Sequence, residues 1–191
     1  TSDTRPKQIA VEFELGGNLV RLGGICKGAG MIQPGMSATG KRPAATPPHA
    51  TMLCFLTTDA AIEAGWLQTC LEEAVAASFN RITVDGDMST NDTVLLLANG
   101  LAGNPLIQTD PADDTEEIRN DILTFEEALD HVCLELAKMI VKDGEGVSRF
   151  VTVSIEGAKT FADADAAARA VANSALVKTS WHGGDPNWGR I

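Results

Sequence analysis

"HATMLCFLTTDA", residues 49–60, decides how the chain is read, because it joins a turn-rich segment to an apolar run and then to a helical pattern. Met52-Leu53-Cys54-Phe55-Leu56 has the length and composition of a buried strand. Before it, residues 28–50 read as a long irregular loop. Within that loop "SATGKRPAATPPH" (37–49) is rich in Pro, Ala and small polar residues, as flexible surface segments are. After it, "DAAIEAGWLQTCLEEAVAASF" (59–79) has helical spacing, with Ile62, Trp66, Cys70, Leu71, Ala74 and Val75 on one face and Asp59 as the expected N-cap or first-turn acid. A hydroxyl residue, Thr51, therefore opens a strand. That position suits an ordinary strand start, and it also suits a nucleophile held at the edge of a rigid sheet.

The pattern extends outward in both directions. "QIAVEFEL" (8–15) alternates apolar and polar residues as a half-buried strand does, Gly16-Gly17-Asn18 is a turn signal, and "LVRLGGI" (19–25) is the expected hairpin partner. "RITVDGDMSTNDTVLLLANG" (81–100) predicts a strand, a polar loop and a second strand, and residues 101–117 an acidic, Pro-containing surface loop. "DILTFEEALDHVCLELAKMIVK" (121–142) is a strongly amphipathic helix with Gly144 as its stop signal. Beyond it, "SRFVTVSIEG" (148–157) predicts a strand, "ADADAAARAVANS" (162–174) a helix and "LVKTSWHG" (176–183) a short strand. Hairpin strands with helices between the pairs predict an α/β or layered α+β domain, whose mixed or antiparallel sheet is covered by helices.

Composition narrows the function classes. The 191 residues are 44% hydrophobic and 21% charged, as in ordinary globular domains. A net charge of −11 argues against nucleic acid, where a basic footprint is expected. No apolar run approaches the roughly 20 residues of a membrane span. Cys26, Cys54, Cys70 and Cys133 form no C-x-x-C pair and sit in apolar or helical settings, which predicts reduced, buried thiols in a reducing compartment. The chain has no initiator Met and stops within "GGDPNWGRI", so it reads as a processed or partial chain.

Four motifs invite chemistry. "GGICKGAG" (23–30) is neither a P-loop nor a dinucleotide fingerprint, and reads as a Gly-rich turn carrying Lys27. "DGDMSTND" (85–92) departs from the calcium-loop template, with Thr90 where the glycine belongs and Leu96 where the bidentate Glu belongs; it reads as a self-bonded polar loop or the wall of a site. His49, His131 and His182 are isolated, so no metal is expected. "KDGEG" (142–146) is either a helix end or a way to project Glu145, and "HGGDPNWG" (182–189) is a turn-rich loop around Trp188. A threonine hydroxyl is a poor nucleophile without an activating base, and one solution is its own α-amino group, freed by cleavage of the preceding bond. An α-amine titrates near about 7.7–8.0, so much of it is neutral at working pH. Here that would require cleavage between Ala50 and Thr51.

Taken together, "TSDTRPK", "GGICKGAGMI", "ATMLCFLTTDAA", "SFNRITVDGDMSTNDTVLLLANG", "LAKMIVKDGEGVSRFVTV" and "ALVKTSWHGGDPNWGRI" run in order across nearly the whole chain. They resemble the ornithine acetyltransferase family, the glutamate N-acetyltransferases of arginine biosynthesis. The resemblance implies a self-cleaving precursor with the N-terminal-nucleophile type of fold, cut between Ala50 and Thr51. Residues 1–50 would end the α chain and residues 51–191 begin the β chain, together forming an incomplete catalytic domain. Thr51 would be the nucleophile, and Thr1, Lys27 and Glu145 match substrate-contacting positions.

The implied chemistry is ping-pong transfer of acetyl from N-acetylornithine to glutamate through an acetyl-threonine. No cofactor is expected, and acetyl-CoA would be an extra donor only in a bifunctional form. The expected assembly is two α and two β chains, in the cytoplasm or, for a eukaryotic protein, the mitochondrial matrix. One departure stands out: the family runs from "GMI-x-P-x-M" almost directly into "ATML", whereas here residues 37–49 intervene. Such an insertion could loop out at little cost, or disturb self-cleavage. Two other readings share these residues: an aminopeptidase or amidase with the same nucleophile, and an uncleaved, non-catalytic amino-acid-binding paralogue.

Overall fold

The computed structural model describes residues 2–36, 51–108 and 115–191. Its centre is a four-stranded sheet in the order β1-β2-β3-β4, with β1 Lys7–Leu15, β2 Asn18–Lys27, β3 Leu53–Thr58 and β4 Thr93–Ala98. β1 and β2 form the expected hairpin. Gly16 (φ 53°) and Gly17 (φ 74°) make its two-residue turn, which needs positive φ at both positions, and Leu15 pairs with Asn18. β2 and β3 pair antiparallel, whereas β3 and β4 pair parallel, so the sheet is mixed.

The parallel pair follows from the connection. β3 leads into helix α1 (Ala64–Ala77), and the chain returns to place β4 beside β3. The strand expected at 82–84 is absent, so no second hairpin forms there. Helix α2 (Glu116–Lys142) crosses the inner face of β1 and β2, and α1 packs on α2. The alternation of β1 and the helical period of α2 thus meet in one core. Val20, Leu22, Cys54 and Leu56 from the sheet face Phe125, Leu129, Val132, Leu136 and Ile140 from α2, all buried. The predicted α1 face is the buried one, except that Ile62 precedes the helix and bridges to Ile107. Trp66 and Phe125 rings lie 5.7 Å apart at the helix–helix contact.

The close approach of α2 depends on a missing side chain. A Cβ at Gly24 would lie 2.5 Å from Leu56 Cδ2 and 2.8 Å from Leu136 Cδ1. The sheet's outer face presents Ile25, Phe55 and Leu95 as one cross-strand row, each exposed.

Three further expectations are corrected. Glu63, not Asp59, caps α1: its carboxylate accepts from the Gly65 and Trp66 amides at 2.8 and 2.7 Å. Asp59 instead accepts from the Arg21 amide at 2.7 Å, which ties the end of β3 to β2. "LVKTSWHG" is helical, within α4 (Ala175–Gly183). The Ser174 hydroxyl accepts from the Val177 amide, Gly184 ends the helix in the left-handed region, and Val177 and Ser180 turn inward at a three-residue spacing. Residues 148–157 have strand-like composition but join no ladder among the described residues. Propensity alone does not make a strand without a pairing partner. The remaining helix, α3, covers Phe161–Asn173 as the spacing predicted, with Thr160 as its cap. All four thiols are free; Cys54, Cys70 and Cys133 are buried and Cys26 partly so. Burial pushes the Cys70 and Cys133 thiols up to about 12, which keeps them protonated.

Candidate functional site

Strand ends converge at one edge of the sheet. Lys27 closes β2, Thr51 lies just before β3, and Asp92 lies just before β4. The register makes this necessary: Lys27 pairs with Leu53, and Leu53 with Thr93.

The loop 28–31 forms the middle of the site. Gly28 has φ 146°, a region L side chains rarely adopt, and a Cβ there would lie 3.2 Å from the Thr51 carbonyl oxygen. Met31 is a non-glycine residue at φ 55°. Asp85 holds this conformation by accepting from the Met31 amide at 2.6 Å and the Ile32 amide at 3.1 Å. The polar loop "DGDMSTND" therefore does wall this edge. Asp85 and Asp92 do so by accepting from backbone amides. Among the described residues no cluster of His, Cys, Asp and Glu could hold a metal.

Thr51 is partly buried, and its hydroxyl donates to the Met31 sulfur at 3.5 Å, a weak acceptor. Its successor is held firmly. The Met52 amide donates to Asp92 Oδ1 at 3.1 Å, and the Met52 carbonyl accepts from the Thr93 amide at 3.1 Å. Glu145, in the turn after α2, donates its amide to the Ala29 carbonyl at 2.8 Å. Its carboxylate lies over Gly30 and accepts from the Ser2 hydroxyl. Lys27, Thr51 and Glu145 thus gather around one short loop. Thr1 and Ala50 lie outside the described residues, as do residues 37–49.

A buried ion network underlies this edge, and sequence reading did not single it out. Lys7 pairs with Cys26 on the inner face, where its ammonium donates to Asp3 at 2.5 Å and Asp143 at 2.6 Å. Asp143 is the C-cap of α2 and also accepts from the Thr4 hydroxyl and the Thr4 and Arg5 amides. Asp3 in turn accepts from the Gly28 amide at 2.8 Å. The Lys7 ammonium and the Thr4 donors hold the Asp143 carboxyl well below the usual carboxylate range. Burial opposes the charge on Lys7, yet its two carboxylates outweigh that and raise its pKa. These contacts fasten the N-terminal segment and the α2 end onto the loop that touches Thr51. Asp143 stands more than a hundred residues from Thr4, Arg5 and Lys7, so no local spacing announces these contacts.

A mixed-sheet α/β domain with a threonine at a strand mouth, against a strained loop that a lysine and a glutamate flank, is the class these features define. The ArgJ family model matches residues 1–191, and the chain belongs to the ArgJ family. It is 54% identical over its full length to a protein of Methanocaldococcus jannaschii named glutamate N-acetyltransferase, covering 42% of that protein. It is 49% identical to the arginine biosynthesis bifunctional protein ArgJ of Geobacter sulfurreducens, covering 43%. The crystal structure of the arginine biosynthesis bifunctional protein ArgJ from Bacillus halodurans superimposes with a TM-score of 0.62 at 42% identity, over 70% of this chain and 59% of that one. The chain therefore spans about two-fifths of the length of the curated relatives it matches.

Proposed function

We propose that this chain supplies the nucleophile of an arginine-biosynthesis acetyltransferase, which moves acetyl from N-acetylornithine to glutamate. The observation that carries the reading is the placement of Thr51 at the mouth of β3, against the Gly28–Met31 loop that Lys27 and Glu145 flank. Family membership supports the same chemistry.

Cleavage of the Ala50–Thr51 bond frees the Thr51 α-amine. That amine takes the hydroxyl proton as Oγ1 bonds to the acetyl carbonyl carbon and the carbonyl electron pair moves onto oxygen. Collapse breaks the amide C–N bond, and the proton passes to the departing ornithine amine. Glutamate's amine then attacks the acetyl-threonine, and the Thr51 oxygen is released with its proton. Developing negative charge on the carbonyl oxygen needs preorganised donors. The Lys27 ammonium and the Glu145 carboxylate suit the carboxylate and ammonium ends of an amino-acid substrate. The transfer needs no cofactor, and acetyl-CoA serves as a donor only if the enzyme is bifunctional. The α and β chains stay together as two of each. The compartment is the cytoplasm or the mitochondrial matrix; among the described residues no helix is long and apolar enough to cross a membrane.

The test is intact mass with N-terminal sequencing of the full-length protein and its Thr51→Ala variant. The wild type yields a fragment beginning Thr51-Met52-Leu53, and the variant stays whole and transfers no acetyl. Cleavage that persists in Thr51→Ala sinks the nucleophile assignment. A folded wild-type chain that stays whole turns the reading to an uncleaved amino-acid-binding paralogue.

A further inference from the structure

We propose that Asp92 positions the Thr51 nucleophile: one carboxylate oxygen holds the Met52 amide, and the other accepts from the α-ammonium of the Thr51 N-terminus. This rests on the reading of Thr51 as a freed N-terminus.

Asp92 has one satisfied oxygen and one orphan. Oδ1 accepts from Met52 at 3.1 Å, while Oδ2 is buried and has no hydrogen-bond partner among the described residues. A buried acceptor without a partner is costly, and native proteins rarely keep one without a reason. The group best placed to satisfy it belongs to the neighbour of the residue already bound. Thr51 precedes Met52, and consecutive Cα atoms lie about 3.8 Å apart. A carboxylate whose one oxygen grips the Met52 amide therefore lies one residue from the Thr51 nitrogen, which rotation about the Thr51 Cα–C bond turns toward the other oxygen. Before cleavage that nitrogen is a neutral amide; afterwards it is an amine that becomes an ammonium each time it takes the hydroxyl proton. Asp92 then stabilises the charge that forms on the base and fixes the rotation of Thr51 about its single remaining tether.

The electrostatics of the site agree. Burial pushes the Asp92 carboxyl up to about 6; the bound Met52 amide pulls it down, and so, more weakly, do the Ser89 hydroxyl, which forms no hydrogen bond to Oδ2, and the Lys27 charge. A carboxyl in that condition has more burial than compensating charge, and the Thr51 ammonium supplies more of that charge. The charged groups on the elements meeting here are Lys27 from the end of β2, Asp85 and Asp87 from the polar loop and Glu145 from the turn after α2. Asp85 is engaged with the Met31 and Ile32 amides, and Glu145 with Ser2. Asp92 raises the pKa of the Thr51 amine, and Lys27 opposes it.

The test is Asp92→Asn in the full-length protein. Asparagine keeps an acceptor for the Met52 amide but carries no charge. The variant cleaves at Thr51, and pH-dependent labelling of the new N-terminus shows its α-amine pKa lowered by about one unit. The acidic limb of kcat/KM moves to lower pH with it, and kcat falls about 10²-fold while KM stays near the wild-type value. A cleaved, active variant with an unmoved amine pKa and an unmoved limb overturns the role of Asp92 and leaves the acetyltransferase reading intact. If the variant does not fold or cleave, the mature wild-type structure decides. Thr51 N within about 3.2 Å of Asp92 Oδ2 upholds the proposal, and a separation beyond hydrogen-bond reach overturns it. A wild-type protein that never forms a Thr51 N-terminus removes this proposal together with the reading it rests on.

Discussion

Gly28 and Thr51 face each other across the site, and a methyl group at residue 28 would press on the Thr51 carbonyl. A Cβ at residue 28 would lie 3.2 Å from the Thr51 carbonyl oxygen and 3.1 Å from Ile32 Cδ1, on a backbone at φ 146°. Gly28→Ala therefore combines backbone strain with pressure on the bond that follows the proposed cleavage site. The expected cost is about 1–3 kcal/mol in stability, read from denaturant midpoints. Formation of the Thr51-terminated fragment should also slow, as followed by mass spectrometry over time. Wild-type stability together with wild-type cleavage would show that this contact constrains nothing.

Lys27 belongs to the strand end rather than to the buried network. It is partly exposed, and it acts on Asp92 through charge. Lys27→Ala should leave the fold and the cleaved product in place. Its main effect should be on substrate use, with KM for the amino-acid substrate rising more than kcat falls. A hydrogen-bonded charged contact is worth about 1.5–3 kcal/mol, or roughly 10- to 150-fold. Steady-state kinetics separate the two parameters. A pure kcat loss with KM unchanged would remove Lys27 from substrate binding.

Much of the scaffold was legible in the sequence, because periodicity reports burial directly. The alternation in 8–15 and the helical stripes in 59–79 and 121–142 correspond to β1, α1 and α2, and their apolar positions form the core. What failed were segments whose state depends on partners or caps. Residues 148–157 look like a strand but meet no ladder among the described residues, and 176–183 looks extended but is held helical by Ser174 and Gly184. The candidate site was legible only as separate short motifs. Lys27, Thr51 and Glu145 could be picked out one at a time. Asp3, Asp85, Asp92 and Asp143 could not, since each accepts from an amide or an ammonium supplied by another segment, and Lys7 could not, since its Asp143 partner is distant in the chain. A lone Asp in a polar loop has no spacing that reveals which amide it will bind.

The network around Lys7 makes stability depend on pH from both sides. Asp143 titrates below its ordinary value of about 3.9, so its contribution is complete above that pH and is lost as pH falls through the lower folded-state value. Asp3 is shifted the same way: burial raises it, but the Gly28 amide and Lys7 outweigh burial, so its contribution also goes in acid. Lys7 titrates above its ordinary value of about 10.4, so its contribution is complete below that pH and fades as pH rises through the folded-state value. Between the two limits the network is fully formed. Lys7→Met removes the cation and leaves two carboxylates facing each other without it, which should cost about 3–5 kcal/mol near neutral pH. It should also flatten the acid side of the curve. With the ammonium gone, protonating Asp3 or Asp143 relieves repulsion instead of breaking an ion pair, so the variant loses less stability than the wild type as pH is lowered. Urea midpoints measured across the acid range for both proteins provide the comparison. Parallel curves would mean that Lys7 contributes packing alone, and that the Thr4 and Gly28 donors by themselves hold the two carboxylates ionised.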